Sequence, residues 1–303
     1  MLKSFADGHL FGGAWGPGTP TILALHGWQR DHHDFARLFD ELVDGGDDGG
    51  GERSMGAKTW DFGTWDARSW GAVAPDLFGF GATPPPPEPW GTEQYARQLM
   101  PLFDEPGLLA DRIVLVGHSF GGRVAVQLQR LVPDRIERLV LTSVPLIDRA
   151  GRRTRPPIGY RVVRQLHRAG LLGEARLEVA RRRYGSADYR AAEGVMRGVL
   201  VKTLAERYAE KLANIGCPVQ LVWGEDDTEV PLEVAVRAQP LFPSATLVTL
   251  PGVGHLTPTE APEALGEVIM GRSGPAREQP RGSAPAREQP RGSVVADPTR
   301  GAP

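Results

Sequence analysis

One cysteine, Cys217, in 303 residues excludes any disulfide within the chain and suits a reducing compartment. A small buried residue opening a strand at Cys217-Pro218-Val219 accounts for it better than redox or nucleophilic chemistry does. Nowhere do about 18 apolar residues follow one another, so no transmembrane helix is expected. The opening stretch MLKSFADGHLFGGAW lacks the basic start and unbroken apolar run of a secretory signal, and a cytoplasmic location is the expectation. An excess of one charge is missing too: 35 lysines and arginines face 37 aspartates and glutamates, and the net charge of -2 gives no global reason to expect nucleic acid as a partner. What is present is 41% apolar and 24% charged residues, the balance of a globular protein, in a chain long enough for one large core with an insertion.

The one clear internal repeat lies near the C-terminus, where residues 275–283 read PAREQPRGS and 285–293 read the same again. Sequence this rich in proline, glycine and arginine has little to bury, so residues 272–303 are expected to form a disordered tail, dispensable for chemistry. The body alternates short β-rich runs with amphipathic stretches, the pattern of a mostly parallel sheet covered by helices. Candidate strands are Thr21–Leu25, Gly71–Ala74, Arg112–Val116, Leu139–Thr142, Val219–Trp223 and Thr246–Leu250. Several are apolar at consecutive positions, as strands buried on both faces must be. Helices fit residues 31–43, 92–103, 119–132, 232–242 and 260–271, the third stopped by Pro133.

Two stretches break the alternation. Residues 44–70 carry a glycine- and aspartate-rich run and then Trp60, Trp65 and Trp70, which suit core packing better than a substrate-lining loop. Residues 145–215 are helical in pattern; within 149–211 there are 16 lysines and arginines against 6 aspartates and glutamates. That segment reads as a helical cap inserted into a core formed by 1–144 and 216–271, with a solvated basic surface a better account of its charge than an anionic partner.

A hydroxyl is a poor nucleophile, so a catalytic serine needs exposure, a base in reach and donors for the oxyanion that forms. Gly117-His118-Ser119-Phe120-Gly121-Gly122 sits between an apolar strand and an amphipathic helix, so the chain reverses sharply and presents Ser119 at the turn, with Gly117 and Gly121 removing side chains that would collide there. Of seven histidines, His255 has the right setting: strand, Pro251-Gly252-Val253-Gly254 loop, then helix, which puts it at the edge where open parallel sheets bind ligands. A carboxylate must fix that histidine's tautomer. The loop after Val219–Trp223 offers Asp227, with Asp226 competing for the role. His26-Gly27-Trp28 follows the first strong strand and can lie against the elbow; the backbone amides of Trp28 and Phe120 are assigned to the oxyanion.

With these loops in order, residues 5–271 resemble the α/β-hydrolase superfamily. Asp76-Leu77-Phe78-Gly79-Phe80-Gly81-Ala82-Thr83 is similar to that family's D-x-x-G-x-G-x-S segment, with threonine last. The resemblance implies an eight-stranded, mostly parallel sheet flanked by helices, a helical cap after strand six, and the triad Ser119, Asp227 and His255. Some members carry the acid after strand six, but Leu141-Thr142-Ser143-Val144 supplies none. Dehalogenases and epoxide hydrolases of this fold use aspartate at the elbow, where serine stands here. The expected activity is hydrolysis of a small-molecule carboxylic ester or related acyl bond, with no cofactor and no metal. Carbon-carbon bond hydrolase, proline-type aminopeptidase and ligand-binding protein are the alternatives, since this fold hosts many substrates.

Overall fold

The computed structural model describes residues 2–44, 70–148, 158–184 and 187–271. The expected tail at 272–303, Trp60 and Trp65 lie outside the described residues. Eight strands form one sheet: β1 (Lys3–Phe5), β2 (Leu10–Trp15), β3 (Ile22–Leu25), β4 (Ala72–Pro75), β5 (Ile113–His118), β6 (Ile136–Thr142), β7 (Val219–Gly224) and β8 (Ala245–Leu250). Their spatial order is β1-β2-β4-β3-β5-β6-β7-β8, with β1 and β2 antiparallel to their neighbours and the rest parallel.

The alternation of side chains along each strand divides the core in two. Leu23, Leu25, Leu115, Leu139, Leu141, Leu221 and Trp223 enter one layer, against α2 (Thr92–Leu99) and α4 (Phe120–Leu131). Ile22, Ala24, Val114, Val116, Val140 and Val222 enter the other, against α1 (Ala36–Asp44) and the C-terminal helix Pro262–Ile269. Trp70 is buried in this second layer, as core packing requires. Buried Arg138 on β6 donates to the carbonyls of Val268 and Ile269 and to Gln220, satisfying the last carbonyls of that helix and fixing it to the sheet.

The six expected strands are present within one to three residues at each end. The N-terminal hairpin β1–β2 was not anticipated. Its second strand reads LFGGAW, and two glycines weaken the strand signal, yet a Cβ at Gly12 would fall 2.2 Å from the Ala74 carbonyl oxygen, so the close pairing with β4 needs glycine there. Helix boundaries moved for local reasons. Pro101 starts a new short helix, α3 (Pro101–Asp104), and divides the expected 92–103 element. The expected 31–43 helix begins as a tight His32–Phe35 turn that Asp31 caps by accepting from the His33 N–H. Between β6 and β7 the regular elements among the described residues are all helices: α5 (Ile158–Arg168), α6 (Glu174–Tyr184), α7 (Ala187–Ala191), α8 (Gly194–Ala205) and α9 (Ala209–Leu212). After β7 come α10 (Leu232–Ala238), α11 (Thr257–Glu260) and α12 (Pro262–Ile269).

Candidate active site

Ser119 joins β5 to α4 at φ +49° and ψ −112°, a backbone conformation that costs an L-residue about 1–3 kcal/mol. The surroundings enforce it. A Cβ on Gly117 would fall 2.5 Å from the Cα of Gly122, across the turn, so the strand and the first helical turn approach closely. A Cβ on Gly121 would instead fall 2.3 Å from the Leu25 carbonyl oxygen, so this glycine admits the end of β3 rather than the far side of the turn. The Ser119 N–H donates to the Thr142 carbonyl at 2.9 Å, tying the elbow to β6.

His255 arrives from the far edge of the sheet. β7 and β8 pair through to Gly224 and Leu250, and beyond them the two loops remain bound: Glu225 N–H donates to Leu250 O and Asp226 N–H to Val253 O, both at 3.0 Å. Gly224 permits this contact, since a Cβ there would lie 2.2 Å from Val253 O. Glu260 of α11 then holds the loop on both sides of His255, accepting from the N–H groups of Gly254 and Leu256. This clamp was not read from the sequence, although its spacing of four to six residues is local.

The loops bring together three side chains. His255 Nε2 lies 3.2 Å from Ser119 Oγ, and His255 Nδ1 lies 3.0 Å from Asp227 Oδ2. Asp227, not the exposed Asp226, is the carboxylate against the imidazole. Its Oδ1 accepts from the N–H groups of Glu229 and Val230 at 2.9 and 2.8 Å. Burial pushes the Asp227 carboxyl up, but the hydrogen bond from His255 and the Val230 N–H outweigh it, and the net effect holds it below the ordinary carboxylate range. The His118 ring lies tilted against the His255 ring, their centroids 5.1 Å apart. Burial, reinforced by the charge of His255, pushes His118 down to about 3, so it stays neutral beside His255.

Trp28 and Phe120 meet above the elbow. Their rings contact edge to face at 5.5 Å, and Phe80 packs on both. The Phe120 N–H opens α4, where the first helical donors have no partner within the helix. The loop carrying Trp28 is held by buried histidines. His26 Nε2 accepts from the Leu77 N–H, and His32 Nδ1 meets Asp76 Oδ1 at 2.7 Å. Asp76 also accepts from the N–H groups of His32 and Ala82. A Cβ on Gly81 would strike the Asp76 carboxylate at 2.2 Å, which explains the glycine in that segment.

The inserted helices touch this same region. Trp28 packs against Tyr189, Ala192 and Leu200, and the Met196 side chain lies over Gly79. Arg123 of α4 donates to the carbonyls of Pro145 and Thr203, and Glu206 accepts from the Thr92 N–H. Cys217 is buried, and burial pushes its thiol up to about 11, which leaves it a packing residue.

A cavity of about 570 Å³ lies away from the serine; Trp15, Asp31, His32, Asp40 and Asp76 line it, and none of Ser119, Asp227 or His255 does. Geometry and chemistry therefore mark the site better than volume. Asp31, His32 and His33 bring ligand-type atoms within 4.8 Å of one another. Both histidines already face carboxylates through Nδ1, and their ring centroids lie 4.0 Å apart with the planes tilted by 33°.

A sequence model of the α/β hydrolase family matches residues 22–268, most of the sheet and every loop described above. The chain belongs to the α/β hydrolase family. Haloalkane dehalogenases and a lipase are among its curated relatives. The uncharacterized hydrolase YugF of Bacillus subtilis is 25% identical over 181 residues, 54% of this chain and 65% of its own length, so the chain spans just under two thirds of that relative. Haloalkane dehalogenase 2 of Mycobacterium tuberculosis is 28% identical over 67% of this chain and 78% of its own. Lipase LipV of the same organism is 28% identical over 67% of this chain and 83% of its own. Among solved structures, a thermophilic esterase from Thermogutta terrifontis superposes with a TM-score of 0.59 at 21% identity, over 89% of this chain and 96% of that one, a likeness of fold. No helix of the described residues is long and apolar enough to cross a membrane.

Proposed function

We propose that this α/β hydrolase is a serine hydrolase that cleaves a carboxylic ester or related acyl bond of a small molecule by way of an acyl-enzyme. The observation that carries the reading is the unbroken line of contacts from Ser119 Oγ to His255 Nε2 at 3.2 Å and from His255 Nδ1 to Asp227 at 3.0 Å. Ser119 attacks the carbonyl carbon as His255 takes its proton, and the oxyanion rests on the amides of Trp28 and Phe120. Collapse breaks the bond to the leaving group, whose oxygen takes the proton from Nε2. Water, deprotonated by the same nitrogen, then attacks the acyl carbon, and the serine recovers its proton. Helices α5–α9, with the flanking residues of 145–215, act as the cap over this site and shape the acyl pocket.

The mycobacterial dehalogenase relative suggests displacement at an alkyl carbon instead. That chemistry leaves an alkyl group on the nucleophile, and water then has to release it. An alkyl ester of an aspartate can be hydrolysed at its carbonyl; the alkyl ether that Ser119 would form has no carbonyl to attack. The relative named as a lipase has the same identity and fits the serine.

Fluorophosphonate labelling with peptide mapping tests the reading. Ser119 should carry the label, Ser119→Ala should lose it, and turnover of the best ester in an acyl panel should fall about 10³- to 10⁶-fold in that variant. A label on another residue, or turnover that survives the substitution, refutes it.

A further inference from the structure

A second carboxylate reaches the reacting nitrogen. The Glu229 N–H donates to Asp227 Oδ1 at 2.9 Å, which fixes where its side chain starts. That side chain is 70% exposed at the mouth of the site, and its Oε2 lies 3.6 Å from His255 Nε2. Nε2 is the atom that faces Ser119 Oγ, whereas Asp227 holds Nδ1 on the opposite side of the ring. Glu229 therefore stands where the leaving group takes its proton.

Among the described residues no lysine or arginine pairs with Glu229. Other guanidinium groups are engaged elsewhere: Arg30 with Asp34, Arg123 with the carbonyls of Pro145 and Thr203, and Arg197 with Glu178. Glu225 and Asp226 on the same loop are exposed as well, so nothing in the loop's own sequence reverses the field.

We propose that Glu229 selects substrates by the charge of the leaving group: esters whose alcohol portion carries a cation a few atoms from the ester oxygen are favoured, and those carrying a carboxylate there are disfavoured. This inference rests on the acyl-transfer reading of Ser119 and His255. During collapse the leaving oxygen lies within hydrogen-bond reach of Nε2, which puts it within about 7 Å of Glu229 Oε2. Two unit charges about 6 Å apart in an effective dielectric of about 40–80 change a rate about 3- to 10-fold. Exposure of the carboxylate makes that factor sensitive to salt, because the screening length shrinks to about 3 Å at 1 M. A role confined to holding the loop would move both members of a charge-matched pair together, so the ratio between them isolates the electrostatic role.

The probes are choline acetate and 3,3-dimethylbutyl acetate, which share shape and differ by one positive charge. A second pair is two methylphosphonate thioesters with the corresponding thiol leaving groups, read as the rate of inactivation at Ser119 and so less dependent on acyl preference. The expected ratio of cationic to neutral rate is about 3 to 10 at low salt, approaching 1 in about 1 M salt and in Glu229→Gln, and falling below 1 in Glu229→Lys. Glu225→Gln, which alters the same net charge on the same loop, should keep the ratio. A wild-type ratio near 1, or a higher ratio that Glu229→Gln leaves unchanged, overturns the role of Glu229 while the triad stands. Failure of every probe to react at Ser119 refutes the acyl-transfer reading beneath it.

Discussion

Replacing Asp227 by asparagine changes one atom, and the surrounding hydrogen bonds decide where that atom goes. Oδ1 accepts from two backbone N–H groups, those of Glu229 and Val230 at 2.9 and 2.8 Å, while Oδ2 faces His255 Nδ1 at 3.0 Å. An amide that kept its oxygen toward the imidazole would point its NH₂ at two donors. The favoured orientation therefore leaves the oxygen on the backbone and turns the NH₂ toward His255. Nδ1 must then accept, the ring proton moves to Nε2, and that proton faces Ser119 Oγ. The imidazole can no longer act as base in that tautomer. In a comparable triad such a change costs about 10⁴ in turnover, equivalent to about 5.5 kcal/mol of barrier. Asp227→Asn should accordingly be no more active than Asp227→Ala, although it is the closer isostere. Asp226→Asn should stay within about twofold of wild type, because the Asp226 side chain is exposed and only its backbone is tied. The assay is kcat/KM on the best ester of the panel, with thermal unfolding as a check on the fold. Retention of more than about a tenth of activity in Asp227→Asn, or an equal loss in Asp226→Asn, would refute the tautomer argument. The same substitution has a signature in stability. The folded-state carboxyl of Asp227 lies below its ordinary value, so its stabilisation is fully present above the unfolded value of about 3.9 and is lost as pH falls through the lower folded value. Acid unfolding of the asparagine variant should lack that component.

The strained elbow and the neutral histidine beside it yield further tests. Ser119→Ala keeps a Cβ at φ +49°, whereas Ser119→Gly removes it; calorimetry should find the glycine variant more stable than the alanine variant by about 1 kcal/mol, and the reverse order would mean that the turn is unstrained. His118 stays neutral in the fold down to about pH 3, but in the unfolded chain it takes a proton near the ordinary histidine value of 6.5. The unfolded state thus binds more protons between those limits, and stability should fall as pH drops from 6.5 toward 3, by up to about 1.4 kcal/mol per pH unit from this group. Urea unfolding across that range should give a flatter profile for His118→Gln, and an unchanged slope would remove His118 as its source.

Features carried by contiguous residues were legible without coordinates. The run from β5 through Ser119 into α4 announces a sharp turn, because an apolar strand, two glycines and an amphipathic helix cannot otherwise be joined over so few residues. The same holds for the parallel strands, whose consecutive apolar residues require cover on both faces. The hairpin β1–β2 escaped notice because Gly12 answers to the backbone of β4, some 60 residues away, while Gly13 makes room for the Trp15 side chain. Gly121 was recognised as obligatory but for a contact within the turn, when the atom it makes room for is the Leu25 carbonyl oxygen of another strand.

By itself the sequence determined the fold class, the nucleophile's turn and the loop of each catalytic candidate, since those depend on periodicity and on what neighbouring residues can adopt. Only the tertiary structure decided between Asp226 and Asp227, gave His32 its partner in Asp76, and brought Glu229 to the face of His255 opposite Asp227. Adjacent carboxylates on one loop are chemically alike in a string of letters. They become different when β7–β8 pairing and the N–H groups of Glu229 and Val230 turn one of them toward an imidazole 28 residues away.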